Sequence, residues 1–204
     1  MKITTKDLRL IRKLETQEFP EFIERNIYAS PHTNYFYFAP SWHFESGLLT
    51  EEILEDIRMN GRQILSVGSG AAYLERFLSK KLGVKREQIT LSDSSSNMPE
   101  GFEKFTFDMY GEWPNFRKNF DYMLFPESVL LNCRFDGLQP RQEGLYHLIK
   151  NSLARMKPVG QIRINGHSQC DDYPDAVEKW LKEEHTDSKL VYTPQLIVVE
   201  RSKV

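Results

Sequence analysis

The 204-residue chain has only two cysteines, Cys133 and Cys170, and they form no C-x-x-C pair. With histidine clusters also missing, neither a disulfide framework nor zinc-ligand spacing is present. No apolar run reaches membrane-spanning length. The opening residues, MKITTKD, lack the apolar core of a secretory signal, and the final RSKV is no lipidation signal. An excess of charge is missing too: 27 Lys and Arg stand against 29 Asp and Glu, a formal net charge of −2. No global basic field points to nucleic acid. The expectation is a cytoplasmic protein acting in no membrane and on neither DNA nor RNA.

At 40% hydrophobic and 27% charged residues, the chain can bury a sizeable core. Residues 1 to about 60 read as a helical lead-in. Leu8, Ile11 and Leu14 share one helix face, and Pro20 can open a second helix with Phe22, Ile23 and Ile27 inward. An aromatic, proline-punctuated stretch follows from Ser30 to Gly47. Thr50 then reads as an N-cap, with Ile53, Leu54 and Ile57 inward and Gly61 closing the helix.

From Gln63 onward, strand and helix patterns alternate. Strands are expected at Gln63–Val67, Gln88–Leu91, Lys104–Phe107, Asp121–Phe125 and Gln161–Asn165. Two closing runs, Leu190–Thr193 and Leu196–Glu200, should pair antiparallel. Between them, one helix carries Leu74, Phe77, Leu78 and Leu82. A longer one after Pro140 carries Leu145, Leu148, Ile149, Leu153 and Met156, and another runs from about Pro174, capped by Asp172. Such alternation implies a mostly parallel sheet with helices on both faces.

The stretch QILSVGSGAAYLE carries the chemistry. An apolar strand stops at Gly68-Ser69-Gly70 and a helix starts at once, which is how open α/β sheets build a nucleotide site. Glycines permit the tight turn, and a helix N-terminus offers N–H groups to an anion. The dinucleotide fingerprint needs a third glycine where Tyr73 stands, and a triphosphate loop needs a Lys-Ser/Thr pair that is missing.

Taken with the segments after it, this turn resembles motif I of the class I S-adenosylmethionine-dependent methyltransferases. The resemblance runs from about Thr50 to the C-terminus and implies their seven-stranded α/β sheet, five parallel strands plus an antiparallel edge pair. Residues 1–49 would form an N-terminal helical and aromatic cap, and residues 50–204 the Rossmann-like domain. The resemblance places Gly68, Ser69 and Gly70 beside the methionine part of the cofactor. It gives Asp93, with Ser94 adjoining, to the ribose hydroxyls, Asp108 to the adenine amino group and Met109 to the ring. Phe125, Pro126, Glu127 and Ser128 fall next to the reactive methyl, and LARMKPVGQIRI matches the approach to strand five. Two positions depart from the pattern: Ser66 stands where an acidic residue is common, and Ala72 where a third glycine is.

The residues themselves leave alternatives. Asp93 and Asp108 could each cap a turn instead. Glu127, His167 and His43 could serve as bases toward a hydroxyl acceptor, or Glu127 could be a solvated helix-start residue favoured by the dipole and His167 an ordinary loop histidine. Tyr37, Trp42 and His43 could line an acceptor pocket under a lid, or the aromatics could simply be packing. The implied function is transfer of a methyl group to a small molecule. The Asn/Asp-Pro-Pro-aromatic pattern of amine-directed nucleic-acid enzymes is missing. A non-catalytic binding module and an aminopropyl or aminocarboxypropyl transferase remain open.

Overall fold

The computed structural model describes residues 5–22, 27–29, 36–126, 142–165, 173–193 and 195–202. Helix α1 (Thr5–Glu18) leads into a hairpin of β1 (Ile27–Ala29) and β2 (Phe36–Phe38), then helices α2 (Pro40–Glu45) and α3 (Glu51–Asn60). The alternating part follows: β3 (Ile64–Val67), α4 (Tyr73–Lys81), β4 (Ile89–Asp93), β5 (Glu103–Thr106) and β6 (Phe120–Phe125). It continues with α5 (Gln142–Leu153), β7 (Met156–Asn165), α6 (Tyr173–Glu184), β8 (Ser188–Thr193) and β9 (Leu196–Arg201).

The large sheet has seven strands in the order β5-β4-β3-β6-β7-β9-β8. The five from β3 to β7 are mutually parallel, and β9 runs antiparallel between β7 and β8. Strand order reverses between β3 and β6, so a crevice opens at the carboxyl ends there. Alternating side chains feed two cores, one on each face. Ile64, Leu91, Tyr122 and Leu124 join the face covered by α3 and α4, while Leu65, Val67, Met123, Phe125, Ile162 and Ile164 join the face covered by α5 and α6.

Local signals act where the sequence puts them. Thr50 Oγ1 accepts from Ile53 N–H at 3.3 Å, and Gly61 ends α3 in the left-handed region at φ 63°. Ala39 cannot cap α2 with its side chain. Glu15 on α1 does so from a distance, accepting from Ser41 N–H at 2.5 Å and Ser41 Oγ at 3.2 Å.

Two expected elements differ. Pro20 opens only a single turn, Pro20–Phe22, and Ile27 lies in β1 rather than on an inward helix face. α5 stops at Leu153, and Met156 begins β7 instead of ending the helix. β7 pairs with β6 through Phe120↔Met156 and again from Tyr122↔Gln161, so four residues bulge out opposite Asp121. Pro158 cannot donate to a ladder, which is why that stretch reads as a turn.

Gly160 ends the bulge. A Cβ there would lie 2.8 Å from the Asp121 carbonyl oxygen and 2.5 Å from Met156 Cγ. We expect Gly160→Ala to cost about 1–3 kcal/mol through overpacking, measured by urea unfolding; a loss below about 0.5 kcal/mol would show that the bulge opens freely.

Candidate functional site

The crevice is floored by the glycine turn between β3 and α4. Gly68 (φ 73°), Gly70 (φ 52°) and Ala72 (φ 53°) are all left-handed, every second residue of the turn. Ala72 is the one non-glycine among the described residues in that region, a conformation that costs an alanine about 1 kcal/mol. The turn is held from the neighbouring strand. Gly68 N–H (2.8 Å) and Ser69 N–H (2.9 Å) both donate to the Ser92 carbonyl, and Gly70 N–H donates to Asp93 Oδ2 at 2.9 Å. Ala72 N–H donates to Ser69 O at 2.7 Å. Four amides of the turn, those of Gly68, Ser69, Gly70 and Ala72, are thus already paired ahead of the helix. A phosphate could use these four amides only by breaking their bonds.

Asp93, at the end of β4, takes the turn-capping role that its position allowed and also meets the glycine turn. It caps the following turn, accepting Ser95 N–H on Oδ1 at 2.8 Å, and it braces the glycine turn through Oδ2. Each carboxylate oxygen keeps a second lone pair for a ligand hydroxyl. Ser94 beside it is exposed. Asp108 comes close because Phe107 N–H donates to Asp93 O at 3.0 Å. Its own side chain is exposed and closes a turn, accepting Tyr110 N–H at 2.9 Å. Met109 is half-buried against the second core, and its carbonyl accepts the Trp113 indole N–H at 2.8 Å. Phe125 is fully buried, so it can offer a ligand only backbone.

One acidic residue of this region escaped the sequence reading. Glu75, in the first turn of α4, is 1% exposed, and Ser66 Oγ donates to its Oε1. Burial pushes its carboxyl up to about 7, against the Ser66 hydrogen bond, and the charge of Asp93 pushes the same way. The sequence did hold a signal: Glu75 stands three and seven residues before Leu78 and Leu82, on the apolar face of its own helix. Its partner Ser66 is fully buried on β3.

On the other side of the crevice, α2 meets the carboxyl end of β7. Asn165, the last residue of β7, donates from Nδ2 to Ser46 Oγ at 2.8 Å and reaches His43 Nδ1 at 3.2 Å. Arg163, two residues earlier on the same face, donates to the Leu48 carbonyl at 2.8 Å and the Gly47 carbonyl at 2.6 Å. Burial lowers the Arg163 guanidinium to about 10 and the His43 imidazole to about 3. His43 is 4% exposed, so it works as a neutral strut and is a poor proton acceptor. That is at odds with a pocket-lining role. Trp42 is half-buried and stacks on Phe38 at 6.2 Å. Tyr37 lies on β2, its backbone paired with Tyr28. Glu127 and His167 lie outside the described residues. No group of three or more candidate metal ligands occurs among the described residues, nor does a helix long and apolar enough to cross a membrane.

No protein-family profile and no curated protein matches the sequence. Solved structures do match the fold. The magnesium protoporphyrin IX methyltransferase ChlM of Synechocystis PCC 6803, with bound S-adenosylmethionine, aligns over 99% of this chain and 100% of its own at TM-score 0.52 and 12% identity. The plantazolicin methyltransferase BpumL aligns over 97% and 98% at TM-score 0.51 and 12% identity. The S-adenosylmethionine-dependent methyltransferase SibL aligns over 80% of this chain at 16% identity and TM-score 0.48, and this chain spans 57% of its length. The fold is that of the class I S-adenosylmethionine-dependent methyltransferases.

Two outcomes follow from this geometry. Asp93→Ala removes acceptors for Gly70 and Ser95, so it should cost about 1–3 kcal/mol of folding stability; Asp93→Asn, which keeps one acceptor, should cost less. Equal stability of wild type and Asp93→Ala in urea would show that the brace is idle. His43 holds its folded pKa below the unfolded value of 6.5. Its contribution is therefore present above that value and lost as pH falls toward about 3. Glu75 acts in the opposite sense, so the comparison must be by variant. Between pH 7 and pH 5, wild type should lose more stability than His43→Gln, and parallel pH profiles would refute the buried neutral histidine.

Proposed function

We propose that the protein is an S-adenosylmethionine-dependent methyltransferase acting on a small-molecule acceptor. One observation carries the reading. The Gly68-Ser69-Gly70 turn and the Asp93 carboxylate meet at neighbouring strand ends, joined by the 2.9 Å bond from Gly70 N–H to Asp93 Oδ2. The residues fit that cofactor better than a nucleoside phosphate. Four of the turn's amides are spent within the protein, whereas Asp93 retains lone pairs for two adjacent ribose hydroxyls. Ser94, Asp108 and Met109 lie on the loops that follow β4 and β5, where a nucleoside extending from Asp93 would reach them. Phe125 would contribute its backbone at the end of β6.

When bound, the cofactor supplies a methyl group already activated on a sulfonium. The chain's share is then to bind and align the two reactants, since proximity and orientation are what an in-line transfer needs. Asp93 would fix the ribose, and the paired turn would hold its own shape. The aromatic segment beside α2, with Tyr37 and Trp42, would border the acceptor. His43 is set aside as a base by its burial, which leaves Glu127 and His167 for a hydroxyl acceptor; a thiol or amine lone pair needs none. The balanced charge supports a small acceptor over nucleic acid. The two full-length fold relatives are named for magnesium protoporphyrin IX and plantazolicin.

Isothermal titration calorimetry tests the reading. S-adenosylmethionine and S-adenosylhomocysteine should bind with micromolar affinity, and Asp93→Asn should weaken both by about 1.5–3 kcal/mol. Saturable binding of NAD with no heat from either sulfur nucleoside would end it. Binding without methyl transfer to any acceptor in a mass-spectrometric screen would favour the non-catalytic module.

A further inference from the structure

Resting on that reading of the site, we propose that Glu75 is the counter-charge for a cationic ligand at the glycine turn, and that binding such a ligand expels a proton from Glu75. Thereby the turn distinguishes charged from neutral nucleosides.

The placement carries the argument. Glu75 is 1% exposed and lies under the turn, on the first turn of α4, with Ser66 Oγ donating to it from the end of β3. Serine is neutral, so this bond orients the carboxyl group without balancing its charge. Among the described residues, no basic side chain forms an ion pair with Glu75. On its own helix, Arg76 lies over the Phe19 and Tyr73 rings at 5.0 and 5.7 Å, and Lys80 and Lys81 pair with Glu18. From β4, Asp93 adds negative charge. From α1, Glu15 is engaged by Ser41 and Arg12 by Glu45; from α2, His43 is buried against Asn165. A buried carboxyl group with a negative neighbour and no cation resists losing its proton, and burial raises Glu75 to about 7, so it is half-protonated near neutral pH.

The site is therefore one positive charge short. S-adenosylmethionine carries an ammonium and a sulfonium. Either one placed at the turn acts on a Glu75 that is shielded from water, where charges act strongly without contact. The field favours the carboxylate, the O–H bond of Glu75 breaks, and the proton leaves to solvent. A neutral nucleoside does not drive this step. Ser66 remains to hydrogen-bond the carboxylate that results.

Calorimetry in two buffers of different ionisation enthalpy counts the proton directly. At pH 7, wild type should release up to about half a proton with S-adenosylmethionine and none with 5′-methylthioadenosine, its neutral fragment. Between pH 5.5 and 7, below the titration of the ligand's own amino group, affinity for S-adenosylmethionine should rise about five- to tenfold. Affinity for the neutral fragment should stay flat. In Glu75→Gln, the proton release and the rise should both vanish while the neutral fragment binds as before. If that variant does not fold, the wild-type comparison of the two ligands decides alone. Binding of S-adenosylmethionine with no proton released, or with the same release as the neutral fragment, would overturn the role of Glu75 and leave the cofactor site standing. No binding of either nucleoside would remove the cofactor reading and this inference together.

Discussion

The end of β4 holds the site together. Ser92 and Asp93 receive three consecutive amides of the turn, those of Gly68, Ser69 and Gly70, at 2.8–2.9 Å. This is sheet pairing carried past the point where β3 stops being a strand. It fixes a backbone that is left-handed at every second residue and would otherwise be one of the softest parts of the chain. It also decides what the turn can recognise. Amides spent on the neighbouring strand are not free for a ligand, and the carboxyl groups of Asp93 and Glu75 are the acidic groups beside the turn.

The two faces of β7 show how the site acquires its second wall. Ile162 and Ile164 go into the core beneath α5 and α6, while Arg163 and Asn165 turn toward the N-terminal segment. Burying an arginine without a carboxylate costs free energy unless its donors are met. Here, the Gly47 and Leu48 carbonyls and the Gln161 amide oxygen meet them. Polar bonds are directional where apolar packing is not, so this seam sets the orientation of α2 over the sheet end.

Much of the architecture was legible because it is local. Thr50 and Gly61 bound α3 through their own side chain and backbone, and Gly68 and Asp93 mark the ends of β3 and β4. The parts that were not legible depend on partners far away in sequence. Ile27 belongs to a strand only because Phe38 lies opposite it. Met156 starts β7 because Phe120 pairs with it, across a bulge whose proline and glycine look like a turn. At the site, the turn and Asp93 were visible as motifs, but the spent amides were not, since Gly70 N–H finds its acceptor, Asp93, 23 residues on. Glu75 reads as a charged first-turn residue of a kind favoured by the helix dipole. Its burial comes from how α4 lies against Ser66. His43 looked like a proton acceptor until Asn165, 122 residues away, took its nitrogen.

The seam on β7 has a consequence for how the chain is made. Leu48 waits for Arg163 across 115 residues, and Ser46 for Asn165 across 119. During synthesis the N-terminal helices therefore leave the ribosome long before their polar partners exist. α1 and α4 can meet early, with Phe19 and Phe22 against Tyr73, but the polar seam on α2 waits for β7. Contacts of such long range are slow to form and leave sticky surface exposed in the interval. β7 thus acts as a checkpoint on α2, and a chain truncated before Arg163 would lack the polar partners that orient that helix.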